Sequence, residues 1–261
     1  MQYFEPQPGP QGAPWHRRVV VSTKVIFPAR RRIFAGVPLF SLPMRLCFAS
    51  NNAHKLDEIR PLLPPGLALL SLADIGCHEE LPETQDTLLG NALQKARYVS
   101  DHYGVFCFAD DTGLEVAALG GAPGVYSARY AGPQRSAADN VAKLLHELAP
   151  DADCTAYFRT VIALVKPAAV KLRPDVPEPT AATIDLANGG YFEQLFFGEV
   201  PGRITQAPRG ADGFGYDPVF VPDEGDGRTF AEMTLAEKNR FSHRARAVTG
   251  LVKYLTLYLG T

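Results

Sequence analysis

VFCFADDTG, at residues 105–113, carries two adjacent carboxylates at the end of a short apolar run. The apolar residues predict a buried strand over residues 105–109, and Thr112 and Gly113 are the expected turn that ends it. Because side chains alternate between the two faces of a strand, Asp110 and Asp111 should point in opposite directions. One of them then faces any cleft at the strand end, where ligands bind in open α/β sheets. The simpler alternative is that both aspartates cap a turn.

The composition sets the broad class of the protein. The chain has 261 residues, of which 46% are hydrophobic and 21% charged, as in an ordinary globular domain. A formal net charge of -2 gives no basic field for nucleic acid or an acidic membrane, and no apolar run is long enough to span a bilayer. The four cysteines are scattered, with no CxxC pair. We therefore expect a cytoplasmic protein with reduced thiols and no zinc site.

Residues 1–43 differ from the rest of the chain. They contain several prolines, the basic run 30–32 and a single acidic residue, Glu5. Three interpretations remain open: a disordered tail, an organelle-targeting segment, or a start codon assigned too far upstream. Met44 directly precedes the first clear strand pattern. We therefore expect an N-terminal extension over residues 1–43 and one folded domain over residues 44–261.

Strand and helix patterns mix from Met44 onward. Apolar runs predict strands at residues 46–49, 67–72, 155–165 and 191–200. Helical spacing of apolar residues predicts helices at residues 55–63, 87–103, 136–148 and 235–258. A proline-rich stretch at residues 167–179 is typical of a surface insertion. The pattern predicts an α/β fold with a mixed rather than purely parallel sheet.

SNNAHK, at residues 50–55, lies between the first strand and the first helix. Serine and asparagine are good N-cap residues, and the start of a helix offers free N–H groups to an anion. Lys55 is placed to reach the same anion, which suggests a phosphate. The segment is not a P-loop, because the glycines and the Gly-Lys-Ser/Thr ending are missing. The alternative is an ordinary capped helix with a solvated lysine.

EELPET, at residues 79–84, is an acidic loop before the second helix. Acidic residues favour a helix start through the helix dipole, which is the simpler interpretation. The functional interpretation is that one glutamate joins Asp111 around a divalent cation. Mg²⁺ binds oxygen ligands and needs only one or two protein carboxylates when substrate phosphates supply the others.

Two glycine-rich segments carry polar and aromatic residues. GGAPGVYSARYAG, at residues 120–132, contains Arg129, and RGADGFGYDP, at residues 209–218, contains Phe214, Tyr216 and Asp217. Glycines let the backbone approach a ligand closely, and aromatic rings offer stacking faces for a base. Either segment alone is also compatible with plain turns.

A capping-box pattern at residues 234–237 opens the last predicted helix. Lys238, Ser242, His243 and Arg244 follow it. A lone histidine on a helix is usually structural or solvated. In a chain that already has candidate phosphate and base loops, these groups indicate polar recognition of a nucleotide.

Together these segments resemble the non-canonical purine nucleoside triphosphate pyrophosphatases, the inosine and xanthosine triphosphate pyrophosphatase family. The matching stretches run in family order through the chain: SNNAHK at 50–55, ADDTGL at 109–114, GGAPGVYSARY at 120–130, GFGYDP at 213–218 and SHR at 242–244. The chain departs from the family before Asn91, where members carry an acidic residue and this chain has Gly90.

The resemblance implies Mg²⁺-dependent hydrolysis of ITP, dITP and XTP to the monophosphate and pyrophosphate. It implies a homodimer in which an elongated mixed β-sheet and flanking helices form two lobes around a central cleft. Asp111 resembles the catalytic acid and metal ligand, and Glu83 the second metal ligand. The implied substrate-binding residues are Ser50, Asn51, Asn52, Ala53, His54, Lys55, Thr112, Phe214, Gly215, Tyr216, Asp217, Lys238, His243 and Arg244. Two alternatives remain: a Maf-like pyrophosphatase for dTTP or UTP, and a non-catalytic nucleotide sensor.

Overall fold

One mixed sheet organises residues 44–166, 183–185 and 191–259, the ranges that the computed structural model describes. The eight strands in these ranges are β1 (Met44–Phe48), β2 (Leu67–Leu70), β3 (Cys107–Val116), β4 (Pro123–Gly124), β5 (Thr155–Lys166), β6 (Thr183–Asp185), β7 (Tyr191–Ile204) and β8 (Phe220–Pro222). The helices are α1 (Ala53–Ile59), α2 (Leu88–Tyr103), α3 (Ala137–Glu147), α4 (Leu235–Lys238) and α5 (His243–Leu259). The predicted extension at residues 1–43 and the predicted insertion at residues 167–179 lie outside the described residues.

The strand order is β2-β1-β3-β5-β7-β6, with β4 paired to β3 and β8 paired to β7. β1 is parallel to both β2 and β3, whereas β5 is antiparallel to β3 and to β7. The predicted α/β class with a mixed sheet is confirmed. In the described part of the chain, no helix combines the length and apolar character needed to cross a membrane.

The sheet has helices on both faces at one end. Leu46, Phe48 and Phe108 pack with α5, and the alternate residues Cys47 and Ala49 pack with α2. This alternation follows directly from the period of two along a strand.

A separate hydrophobic core lies at the other end of the sheet, around Phe158, Phe220 and Phe230. The long strands β5 and β7 contribute residues to the cores at both ends. The result is the expected pair of lobes on one elongated sheet.

The strand of the paired aspartates does not end where we expected. Thr112 and Gly113 form no turn, because β3 continues to Val116 and pairs with β5 along its whole length. Gly113 serves close packing instead: a Cβ at this position would lie 2.7 Å from the carbonyl oxygen of Gly124 in β4. The carboxylates lie just beyond the end of β1, whose last pair with β3 is Phe48 with Phe108.

The expected continuous helix over residues 235–258 is also wrong, since it is broken into α4 and α5. The Thr234 and Glu237 capping box opens α4 as predicted, and the side chain of Ser242 caps α5 by accepting from Ala245 N–H at 3.2 Å. On an unbroken helix, Lys238 and Arg244 would lie about 120° apart around the axis. The break lets both side chains reach the same carboxylate, Glu58.

The other helix predictions hold to within a few residues. Thr87 and Ser136 cap α2 and α3 through their side-chain oxygens. α1 begins two residues earlier than predicted and ends at Ile59, where Pro61 forces a short 3₁₀ turn.

Candidate active site

A cavity of about 580 Å³ lies between the two ends of the sheet and collects the predicted site residues. Asp111, Glu83 and all of the predicted substrate-binding residues except Ala53 line it. Ala53 is exposed at the start of α1. Each of the segments that supply these residues carries its own sequence motif, and they lie far apart in the chain. The fold brings them together in one site.

Asp110 points to the face of the sheet that carries α1 and α5, and it is fully buried. Its carboxylate accepts hydrogen bonds from Lys55 Nζ at 2.8 Å and from Arg244 Nε at 3.0 Å. Thr112 Oγ1 donates a weaker bond to it at 3.3 Å. Burial alone would raise the pKa of Asp110, but the charges of Lys55 and Arg244 outweigh burial and lower that pKa. Asp110 is therefore a buried anion that holds the side chains of Lys55 and Arg244 in place.

Asp111 points to the opposite face, toward α2, and keeps a small exposed surface of 8% in the cavity. Asn91 Nδ2 donates to its Oδ2 at 3.1 Å. Lys95 Nζ lies 3.5 Å from its Oδ1 and 2.5 Å from Glu83 Oε1. Burial raises the pKa of Asp111 despite the positive charge of Lys95. The predicted opposite orientation of the two aspartates is what the structure shows.

The donor set around Lys95 is compatible with Mg²⁺. Asp111 and Glu83 already approach one cation, the Lys95 ammonium, from two sides. Burial tends to raise the pKa of Glu83, but the charge of Lys95 lowers it overall, so this carboxylate is ionised. No cluster of three or more metal-binding side chains occurs among the described residues. Two carboxylates suffice for Mg²⁺ when substrate phosphates complete the coordination.

The SNNAHK turn places its polar side chains at the cavity, although α1 is short. Asn52 Oδ1 accepts from Lys55 N–H at 3.3 Å, and Asn51 Nδ2 donates to the carbonyl of Glu79 at 3.3 Å. The ammonium of Lys55 is held by Asp110 rather than projecting freely. Burial lowers the pKa of Lys55, with Asp110 opposing the shift. Lys55 therefore faces the cavity from a fixed position.

A buried ion-pair network organises the other side of the cavity. Glu58 of α1 accepts from Lys238 Nζ at 2.6 Å through Oε1 and contacts Arg244 Nη1 through Oε2. Lys238 Nζ also donates to Asp217 Oδ2 at 2.6 Å. The side chains of Glu58, Lys238, Asp217 and Arg244 are each at most 5% exposed. Removing any one of these four groups would leave an uncompensated buried charge. The network therefore keeps its geometry only while all four partners are present.

A hydrogen bond to its own aspartate stabilises the conformation of the GFGYDP loop. Asp217 Oδ2 accepts from Phe214 N–H at 2.9 Å, and Gly213 has φ of 75°. A side chain on Gly213 would collide with the Asp217 carboxylate, so glycine is required here. Burial raises the pKa of Asp217, with Lys238 opposing the shift.

Aromatic rings line the same region. His54 stacks on Phe214 with ring centroids 5.4 Å apart, and His243 stacks on Phe158 at 4.5 Å. Burial and the charge of Arg244 hold the pKa of His243 well below its usual value. Its Nδ1 is buried without a hydrogen-bond partner among the described residues. The Nδ1 atom of this neutral imidazole can therefore form a hydrogen bond with a polar edge of a ligand.

Sequence reasoning missed Lys95, Asn91 and Glu58. Asn91 and Lys95 are four residues apart among the mostly apolar buried residues of α2, and that polar pair was the available signal. Glu58 gave no comparable signal, because its partners lie about 180 residues away.

With this geometry established, comparison with known proteins identifies the family. The Ham1 family matches residues 46–254, and the chain belongs to it. A dITP/XTP pyrophosphatase of Flavobacterium johnsoniae is 47% identical over 213 residues, covering 82% of this chain and 98% of the relative. A dITP/XTP pyrophosphatase of Porphyromonas gingivalis is 48% identical over 215 residues, covering 81% of this chain and 97% of the relative.

Solved structures support the same assignment of fold. A HAM1 protein from Coxiella burnetii superposes with a TM-score of 0.66 at 35% identity, covering 82% of this chain and 98% of that chain. The Staphylococcus aureus Ham1 protein gives a TM-score of 0.66 at 31% identity, covering 81% of this chain and 97% of that chain.

Proposed function

We propose that this protein hydrolyses non-canonical purine nucleoside triphosphates, namely ITP, dITP and XTP, to the monophosphate and pyrophosphate. The observation that carries the proposal is the arrangement of one cavity. Two carboxylates that share a cation, Asp111 and Glu83, lie in the same 580 Å³ space as the buried polar groups around Phe214. The names of the relatives from Flavobacterium johnsoniae and Porphyromonas gingivalis support the same substrate class.

Asp111 is the proposed general base and a metal ligand. It accepts the proton of a water molecule that attacks the α-phosphorus, and pyrophosphate leaves. Asn91 fixes the orientation of this carboxylate, because its amide donates to Oδ2. Burial raises the pKa of Asp111 in the metal-free protein, whereas a bound Mg²⁺ would lower it.

Glu83 and Asp111 are the residues that would hold Mg²⁺. When bound, the ion supplies positive charge for the phosphate oxygens. Lys55 and Lys95 also line the cavity, but their charges are matched by Asp110, Asp111 and Glu83.

Selection of the base rests on Lys238, His243 and Arg244. Lysine and arginine side chains only donate hydrogen bonds, which suits the acceptor oxygen of a 6-oxo purine. A 6-amino group in that position would leave a buried donor unpaired, and such a mismatch discriminates by orders of magnitude. ATP is therefore the disfavoured substrate.

Three further assignments belong to this proposal. Residues 44–261 form the catalytic domain, and the protein acts as a homodimer, as the family resemblance suggests. The four cysteines are all free, which is compatible with the proposed cytoplasmic location.

A substrate panel tests the function. The protein is incubated with ITP, XTP, ATP, GTP and dTTP in the presence of Mg²⁺, and pyrophosphate and orthophosphate are measured separately. We expect pyrophosphate from ITP and XTP in large excess over ATP. Preference for dTTP would favour the Maf-like alternative, and tight binding without any product would favour a nucleotide sensor.

A further inference from the structure

The interior cations of the cavity are already engaged by carboxylates. Lys55 contacts Asp110, and Lys95 contacts Glu83 and Asp111. Lys238 and Arg244 contact Glu58, with further contacts to Asp217 and Asp110, respectively. Four cations thus face five carboxylates, and the interior has no surplus positive charge. A nucleoside triphosphate, with a charge of about -4, therefore needs more positive charge than a bound Mg²⁺ and these paired side chains supply.

Arg135 is the cavity-lining cation that can provide it. Its side chain is 50% exposed, and its ion-pair contact within the described ranges is a loose one with Glu83, Nη2 to Oε2 at 3.8 Å. This distance is too long for a hydrogen bond, so the guanidinium keeps its donors for another acceptor. The other arginine at the rim, Arg129, lies over the Tyr126 ring at 5.2 Å.

The backbone conformation and the helix that follows fix the position of Arg135. Arg135 has φ of 53°, and within the described ranges it is the one residue other than glycine with positive φ. Ser136, which follows it, caps the eleven-residue helix α3 by accepting from Asp139 N–H at 3.2 Å. Strained residues of this kind are concentrated at functional sites. From this fixed backbone position, the Arg135 side chain extends toward Glu83, one of the two carboxylates that would hold the metal.

We infer that Arg135 binds the two terminal phosphates of the substrate, exchanging its loose contact with Glu83 for bidentate contacts to phosphate oxygens. The inference rests on the proposed function, because it takes a nucleoside triphosphate as the ligand. Arginine suits the role, since its planar fork matches phosphate oxygens in pairs. The triphosphate then runs from the aromatic base region to the acidic pair, with its outer end at the rim.

The binding of each product, pyrophosphate and IMP, is measured separately. This distinguishes a contact to the terminal phosphates from a general effect of the substitution on the site. Pyrophosphate and IMP are titrated calorimetrically, with Mg²⁺ present, into the wild-type protein, Arg135→Ala and Arg135→Lys. Arg60→Ala serves as the matched control, because Arg60 is an exposed arginine outside the cavity lining. We expect Arg135→Ala to weaken pyrophosphate binding about tenfold, as for a lost charge-assisted contact, with IMP binding within about twofold of wild type. Arg135→Lys recovers part of the loss, and Arg60→Ala matches wild type.

Two results would overturn the inference: pyrophosphate binding unchanged in Arg135→Ala, or IMP binding weakened as much as pyrophosphate binding. The KM for ITP should rise with the pyrophosphate dissociation constant, while kcat changes less. The calorimetric measurement needs no turnover. If the wild-type protein failed to hydrolyse ITP, the proposed function would fail, while the pyrophosphate result would still decide the role of Arg135.

Discussion

Glu58 and Lys238 form a buried ion pair, with 2.6 Å between Oε1 and Nζ, although they are 180 residues apart in sequence. The second oxygen of Glu58 contacts Arg244. One carboxylate in the first helix therefore positions two cations that we assign to base recognition. Glu58 itself does not line the cavity, so it acts through its partners.

Replacing Glu58 by glutamine should disturb recognition and stability together. Glu58→Gln leaves two buried cations with less compensation, and we expect the free energy of unfolding to fall by about 3 kcal/mol. The KM for ITP should rise more than kcat falls, since the reacting carboxylate is untouched. Urea unfolding and steady-state kinetics measure these effects. Asp57→Asn, an exposed neighbour on the same helix, should change stability by less than about 0.5 kcal/mol. Equal effects of the two variants would contradict the assignment.

The same carboxylate predicts a pH dependence of stability. Burial tends to raise the pKa of Glu58, but Arg244 and Lys238 lower it below the ordinary value of 4.5. A carboxyl group with a lowered folded pKa contributes stability above its unfolded pKa and loses that contribution as the pH falls through the folded value. The stability difference between wild type and Glu58→Gln should thus be constant from pH 6 to 8 and shrink below about pH 4.5. Unfolding curves of both proteins at several pH values measure this difference. A difference that persisted in acid would contradict the prediction.

Gly198 sets how closely α5 approaches β7. A Cβ at this position would collide with the carbonyl oxygen of His243 and lie 2.8 Å from Ala247 N. Gly198→Ala should therefore lower the free energy of unfolding by about 2 kcal/mol and weaken ITP binding, because His243 must move. Gly250→Ala is the matched control, since its Cβ would meet the Phe196 side chain at 3.2 Å rather than backbone. That variant should stay within about 1 kcal/mol of wild type, with normal KM. Normal ITP binding in Gly198→Ala would exclude this coupling.

His243 should remain a neutral imidazole at physiological pH. Burial, Arg244, Lys238 and Lys55 all disfavour the charged form, and Asp110 is the opposing charge. The ring signals in an NMR titration should not shift between pH 8 and pH 6. A titration midpoint near 6.5 would mean that the ring is solvated or paired with an anion, and would contradict its buried position.

Local chemistry made much of the fold predictable. Thr87, Ser136 and the Thr234 capping box mark helix starts that the structure contains, because caps depend on residues only a few positions apart. The opposite orientation of Asp110 and Asp111 followed from strand geometry alone.

Failures arose where distant partners decide the structure. Gly113 looked like a turn residue, but it accommodates the backbone of Gly124, which sequence alone does not place beside it. The break between α4 and α5 serves Glu58, which lies in another helix. Lys95 is buried between two carboxylates that come from separate segments, so its role appears only in the folded chain.

Asp111→Asn tests the proposed base directly. The substitution keeps the shape of the side chain and removes its ability to accept a proton, so turnover should be lost while ITP still binds. Calorimetry and product assays on the same preparation separate the two effects. Near-normal turnover in this variant would refute the role of Asp111. Asp139→Asn, at an exposed position on α3, is the control.

The central claim is that water attacks the α-phosphorus of a 6-oxo purine triphosphate in this cavity. Hydrolysis of ITP in ¹⁸O-labelled water, followed by mass spectrometry of both products, tests it most directly. The account predicts the label in IMP and none in pyrophosphate. Label in pyrophosphate, or in orthophosphate released as the first product, would contradict it.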